Sequence, residues 1–204
     1  CGQGRVARHL ADRGARVVGV DLSANLLEIA RRHEAAQPRG VAYLHADAGA
    51  LDGVADASFD GVVCFMALMD IVDLDSTLRS VARILTPGGW FIFAILHPCY
   101  HTARSGETAL ADGVVRTIGA YFEEGHWRSE SRTGPPGKVG SYHRTLATYV
   151  NALTDAGLTL ERLAEPRETA VAADSPSLSG ASRPVWMEVP AVLVARCVKR
   201  SAWK

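Results

Sequence analysis

The chain has 204 residues, 48% of them hydrophobic, which suits one domain with a sizeable core, and no shift in composition separates two. Its 22 basic and 22 acidic residues cancel, so it lacks the cationic excess that gives nonspecific affinity for nucleic-acid phosphates. Its longest apolar runs, Gly61–Leu68 and Trp90–Leu96, are far too short to cross a bilayer as a helix.

In chain order, Cys1-Gly2-Gln3-Gly4 comes first, ahead of an amphipathic helix in which Val6, Leu10 and the small Ala7 and Ala11 recur at helical spacing and Gly14 supplies a stop. Arg16–Val20 follows as an apolar strand ending at the carboxylate of Asp21. Glycines let a backbone pass close to a ligand, a helix N-terminus offers free N–H groups, and an acidic residue after the next strand can accept two ribose hydroxyls. This order therefore predicts a nucleotide-cofactor site. Such a glycine turn also needs a buried strand leading into it, which is expected to precede Cys1 and so to lie outside these residues. Ser23 is a natural N-cap for a second helix with Leu26, Leu27, Ile29 and Ala30 on its buried side.

Val41–His45 reads as the next strand, ending at Ala46-Asp47-Ala48, and Phe59–Phe65 as a fully apolar one. A helix over about Leu74–Leu85 stops at Thr86-Pro87-Gly88-Gly89, and Trp90–Leu96 is a further strand of continuous apolarity. Strands of this kind, separated by helices and buried on both faces, predict an α/β class: a doubly wound, mostly parallel sheet. Residues 97–140 break the rhythm and are rich in Gly, Pro, Arg and aromatics, which predicts a loop segment acting as a lid. A helix over about Leu146–Ala156, a strand Leu158–Leu163, a second long loop Glu165–Pro190 and a last strand Ala191–Val198 complete the chain. Cys1, Cys64, Cys99 and Cys197 are scattered, two of them in apolar strands, which points to reduced thiols and a cytoplasmic setting.

With these elements placed, the chain resembles the class I S-adenosylmethionine-dependent methyltransferases of the small-molecule, type 11-like kind over nearly its whole length. Cys1–Gly4 is similar to the second half of that family's glycine motif, Val20-Asp21-Leu22-Ser23 to the acidic end of its strand two, and Ala46-Asp47-Ala48 to the Asp-Ala after strand three. Ser58–Val63 resembles the entry into strand four, and Arg83–Gly89 the corner before strand five. The resemblance implies a sheet ordered 3-2-1-4-5-7-6 with strand seven antiparallel, strand one being the element missing before Cys1. If so, Arg16–Val20 and Phe59–Cys64 should stand two strand spacings apart, about 9–10 Å, without pairing directly. It also implies S-adenosyl-L-methionine as cofactor, held by Gly2, Gln3, Gly4, Asp21, Leu22, Asp47, Ala48, Cys64 and Phe65, within a single domain spanning residues 1–204.

Methyl transfer from a sulfonium asks mainly for positioning, with a base where the acceptor must lose a proton. His97, His101 and His143 flank the expected lid, and His97 and His143 are the expected bases. Met69 and Asp70 after strand four, with Tyr100, Tyr121, Trp127 and Tyr142 in the insertion, predict a partly apolar, aromatic wall around a small-molecule acceptor. Each of these aromatics equally suits packing of the insertion onto the sheet. His97-Pro98-Cys99-Tyr100-His101 offers metal-binding atoms but no evident fourth ligand, so no metal is expected. Two other readings stand beside this one. Gly2–Ala7 also satisfies the G-x-G-x-x-A pattern of a nicotinamide-dependent oxidoreductase, and a protein that binds the methyl donor without transferring it would carry the same motifs.

Overall fold

The Cys1–Gly4 turn feeds directly into α1 (Arg5–Ala11), whose N-cap Gly4 takes φ 76, a left-handed conformation that suits glycine. A side chain there would also strike the Tyr43 hydroxyl. The computed structural model describes residues 1–110, 113–128, 140–167 and 189–200. After α1 come β1 (Val18–Asp21), α2 (Ala24–Ala36) and β2 (Ala42–His45), and β1 and β2 pair in parallel with Asp21 opposite His45. Ser23 caps α2 by accepting the Leu26 N–H, and Leu27 and Ala30 are fully buried beneath it.

β3 (Phe59–Phe65) leads through a short 3-10 turn at Leu68–Asp70 to α3 (Leu74–Ile84), which Asp73 caps by accepting the Ser76 N–H. β4 (Leu85–Leu96) pairs in parallel with β3. It begins earlier than the expected Trp90, because the Thr86–Gly89 corner is carried within the ladder as an irregularity between Phe59 and Gly61. At the far end of the chain, α4 (Leu146–Asp155), β9 (Leu158–Ala164) and β10 (Val192–Lys199) complete a four-stranded sheet in the order β3-β4-β10-β9, with β10 antiparallel to both neighbours. The α/β class and the expected neighbour order hold within each sheet. β1 and β3 are not paired with one another and belong to separate sheets.

The main core lies where α3 and α4 cover the larger sheet. Phe91, Phe93 and Ile95 of β4 and Leu193, Ala195 and Cys197 of β10 pack there against Leu78, Val81 and Leu153. Burial on both faces was expected of Val41–His45 and Phe59–Phe65, but β2 and β3 have no fully buried residue. Each stands at an end of its sheet. The insertion also differs from a plain loop. β5 (Gly106–Leu110) and β6 (Gly113–Thr117) form an antiparallel hairpin, and β7 (Gly125–Trp127) pairs with β8 (Ser141–His143). Most of the expected second loop lies outside the described residues.

Gly61 pairs with Trp90, whose ring lies so close that an added Cβ would fall on it. Gly61→Ala is therefore expected to lower stability by about 1–3 kcal/mol through overpacking. A lower urea midpoint with unchanged slope would show it.

Candidate functional site

Two loops at the carboxyl ends of β1 and β2 hold the first group of candidate residues. Asp21 closes β1: its Oδ2 accepts from the Gly2 N–H at 2.7 Å and from the Cys1 nitrogen at 2.9 Å, while Oδ1 accepts from the Ser23 N–H at 2.9 Å. Burial pushes this carboxyl up, but the hydrogen bonds from Cys1, Ser23 and Gly2 outweigh it and the net shift is down. Gln3 is exposed and its carbonyl accepts from Arg8. Leu22, 67% exposed, leaves its apolar side chain uncovered beside that carboxylate. Its carbonyl meets His45 Nε2 at 2.8 Å, which ties the two loops together.

Asp47 follows β2, exposed, with Oδ1 accepting from the Gly49 N–H at 2.7 Å, and Ala48 is half-buried beside it. This loop is fastened to α3. Ser80 Oγ donates to the Gly49 carbonyl, and the Arg83 guanidinium donates to the carbonyls of Ala50, Leu51 and Val54 and to Asp56 Oδ1. One arginine thus satisfies four acceptors across a loop with no regular structure. Nothing in the sequence marked Arg83 for this role, since its partners lie 27 to 33 residues away.

The second group sits where β3 and β4 end. Cys64 is largely enclosed, and burial pushes its thiol up to about 11. Phe65 is 59% exposed. Met66 then takes φ 51, a conformation that costs a non-glycine residue about 1–3 kcal/mol, and is held by its N–H on the Ala94 carbonyl at 2.8 Å. Met69 is buried, and burial raises the Asp70 carboxyl above the usual range.

A small recess opens between the 3-10 turn, the end of β4 and the β7–β8 pair. Met69, Leu96, Pro98, Trp127, Tyr142 and Tyr149 form its apolar and aromatic walls. His101, Ser141, His143 and Arg144 are its polar members. Two of them are braces rather than open groups: Ser141 Oγ donates to the Met69 carbonyl, and Arg144 donates to the carbonyls of Leu68, Ile71 and Val72. Ser141, Arg144 and Tyr149 carried no motif. Tyr149 alone had a signal, falling on the apolar face of α4 with Ala152 and Leu153.

The three histidines separate clearly. His97 is 3% exposed; its Nδ1 accepts from the Cys99 N–H and its Nε2 meets Glu165 Oε1 at 2.9 Å, so both ring nitrogens are committed and the expected role as a base is corrected. His143 donates from Nε2 to the Tyr121 carbonyl at 2.8 Å, which leaves Nδ1 as its acceptor. His101 lines the recess, and burial, then Arg116 and His97, push its imidazole down to about 4. Two expected wall residues are structural. Tyr100 is buried under the Arg116 guanidinium with its hydroxyl on Glu107, and the Tyr121 hydroxyl accepts the Leu146 N–H at the start of α4. Among the described residues no cluster of three potential ligands could hold a metal, and no helix is long and apolar enough to cross a membrane.

A family model described as a methyltransferase domain matches residues 1–93. An N-demethylindolmycin N-methyltransferase of Streptomyces griseus is 30% identical over 180 residues, covering 81% of this chain and 71% of that protein. The crystal structure of an S-adenosylmethionine dependent methyltransferase from Mesorhizobium loti covers 97% of this chain and 87% of its own, with 31% identity and a TM-score of 0.80. The chain belongs to the S-adenosylmethionine-dependent methyltransferases. That membership sets aside the oxidoreductase reading of Gly2–Ala7. This methyltransferase also matches a ubiquinone biosynthesis O-methyltransferase of Paracidovorax citrulli, 36% identical over 99 residues, 48% of this chain and 41% of that protein. The chain spans about two fifths of the length of the ubiquinone relatives it matches.

The depressed Asp21 carboxyl has a consequence for this methyltransferase. Because its folded pKa lies below the ordinary 3.8, its contribution to stability is complete above that value and fades as pH falls through the lower one. Asp21→Asn is expected to lower the urea midpoint at neutral pH, and the difference from the parent should shrink as pH drops below about 4. Midpoints measured across that range check it.

Proposed function

We propose that the chain is a single methyltransferase domain that transfers the methyl group of S-adenosyl-L-methionine to a small-molecule acceptor, with residues 97–140 covering the acceptor side. The observation that carries this reading is the convergence of the Gly2–Gly4 turn, Asp21 and the Asp47 loop at the carboxyl edge of two parallel strands. That crevice is where doubly wound sheets bind nucleotides. The residues fit the group. Asp21 has one acceptor position left beyond the three nitrogens it already holds, suited to a ribose hydroxyl. Asp47 Oδ2 is available to an exocyclic amine, the Ala48 N–H to a ring nitrogen, and exposed Leu22 supplies an apolar face for adenine. Gln3, Cys64 and Phe65 line the approach toward the methionine end through their backbone.

When bound, the cofactor supplies an already activated methyl group. The protein's work is then to align acceptor and donor and to keep water out, which can supply roughly 7–11 kcal/mol of the barrier. Where the acceptor must lose a proton, His143 Nδ1 takes it. The Nε2 hydrogen bond to the Tyr121 carbonyl fixes the tautomer, and Glu124, which faces His143, offsets the charge that develops. The balanced charge of the chain and its four free thiols favour a small acceptor in the cytoplasm over a nucleic acid or a membrane lipid.

Isothermal titration with S-adenosylhomocysteine and with NAD tests the cofactor, and release of labelled methyl to a panel of alcohols and amines tests transfer. Binding of S-adenosylhomocysteine alone, with no transfer to any acceptor, would leave only a binding protein. Asp21→Ala is expected to weaken S-adenosylhomocysteine binding by about tenfold to a hundredfold, the worth of a charged hydrogen bond. His143→Ala should leave that affinity intact and slow transfer by about 10²–10⁴-fold.

A further inference from the structure

Gly19 lies inside β1, where a glycine weakens a strand unless another group needs the room. That group is Tyr43, its register partner on β2. A Cβ added at Gly19 would lie 2.9 Å from Tyr43 Cδ1 and 3.0 Å from Cε1, so the ring is laid across the bare backbone of β1. The same ring edge continues to the glycine turn: a Cβ added at Gly4 would lie 2.9 Å from Cε1 and from Cζ, and closer still to Oη. One side chain therefore spans β2, β1 and the N-cap of α1, and both glycines admit it because neither carries a side chain of its own.

The contact works through shape. Tyr43 Oη is buried and has no hydrogen-bond partner among the described residues, which costs stability rather than adding to it, so the hydroxyl contributes by the space it fills. The hydrogen bonds of the turn act in the opposite sense. The Gly2 N–H donates to Asp21 Oδ2 at 2.7 Å and the Cys1 nitrogen donates to the Val20 carbonyl at 2.7 Å, which fastens the turn to the end of β1. These bonds draw the turn toward the strand, and the ring sets how near it can come. A turn held by tethers on one side and a stop on the other has its N–H groups aimed before a ligand arrives, which spares the cost of ordering them on binding.

We propose that Tyr43 is a positioning residue for the methyl donor: its ring sets the height of the Gly2–Gly4 turn above β1, and so the aim of the N–H groups that the turn offers to S-adenosyl-L-methionine. It acts through the turn and not on the donor itself. This assignment rests on the placement of the donor at that turn under the reading above.

The test is isothermal titration of the whole chain with S-adenosylhomocysteine, without urea, beside a urea midpoint for each variant. Tyr43→Leu, too short to reach Gly4, is expected to weaken binding by about threefold to tenfold, the worth of one neutral hydrogen bond. Tyr43→Phe keeps the ring edge and discards only the unpaired hydroxyl, so it should bind within about twofold of the parent and leave the midpoint no lower. Gly19→Ala presses a methyl against the ring, while Cys1 Sγ, 3.0 Å from the same point, is a side-chain end that can move aside. It should weaken binding by a similar factor in the parent and change little in the Tyr43→Leu background, where the ring is gone. Gly61→Ala, in the other sheet, is the control that lowers the midpoint without moving the affinity. A merely structural Tyr43 would behave like that control. Unchanged affinity in folded Tyr43→Leu overturns the proposal, and unchanged affinity in Gly19→Ala does so even if Tyr43→Leu fails to fold. Equal effects of Gly19→Ala in both backgrounds, or Tyr43→Phe binding as weakly as Tyr43→Leu, overturn the part given to the ring edge. A parent chain that binds no S-adenosylhomocysteine strikes instead at the placement of the donor.

Discussion

Parallel pairing is the constraint from which the rest of the molecule follows. Two strands that run the same way must end on the same side, so β1 and β2 deliver Asp21 and Asp47 to one edge, and β3 and β4 deliver Met66 and His97 to theirs. Asp21, Asp47 and His97 thus stand at or just past the carboxyl end of a parallel strand, where backbone groups cease to be used by the ladder. The apolar packing of Phe91, Phe93 and Ile95 against α3 and α4 anchors the larger of these edges. It also leaves the loops free to be shaped by single polar side chains rather than by burial.

Those side chains act as local organisers. Asp21 gathers three nitrogens, Arg83 gathers four oxygens, and Arg144 gathers three carbonyls. Each replaces the missing backbone pairing of an irregular segment, and each holds the stretch that would face a ligand. Backbone polar groups in such loops need partners when they leave water. One fixed charge serving several of them is an economical arrangement, because one side chain is immobilised for three or four bonds.

Much of this was legible in the sequence. Ser23 ahead of Leu26 and Leu27 marked the start of α2, the apolar runs marked β3 and β4, and the Pro-Gly-Gly corner marked the end of α3, since each signal acts over a few residues. The loops after β1 and β2 were legible for the same reason. What stayed hidden depends on long separations. His97 looked free until Glu165, 68 residues on, occupied its Nε2. Ser141 meets the Met69 carbonyl only because the insertion folds back, and the β7–β8 pairing joins strands of three residues each, too short to show a period. The hairpin β5–β6 escaped notice because its alternation of apolar and polar residues is weak.

The attachment of the insertion has an evolutionary consequence. It is pinned at one end by His97, whose N–H donates to the Ala191 carbonyl, and at the other by Ser141 and Arg144, which grip the turn after β3. The chain between those pins touches neither Asp21 nor the Asp47 loop through any hydrogen bond found among the described residues. Such a segment can be lengthened, shortened or exchanged as a cassette without breaking a hydrogen bond to either of those loops.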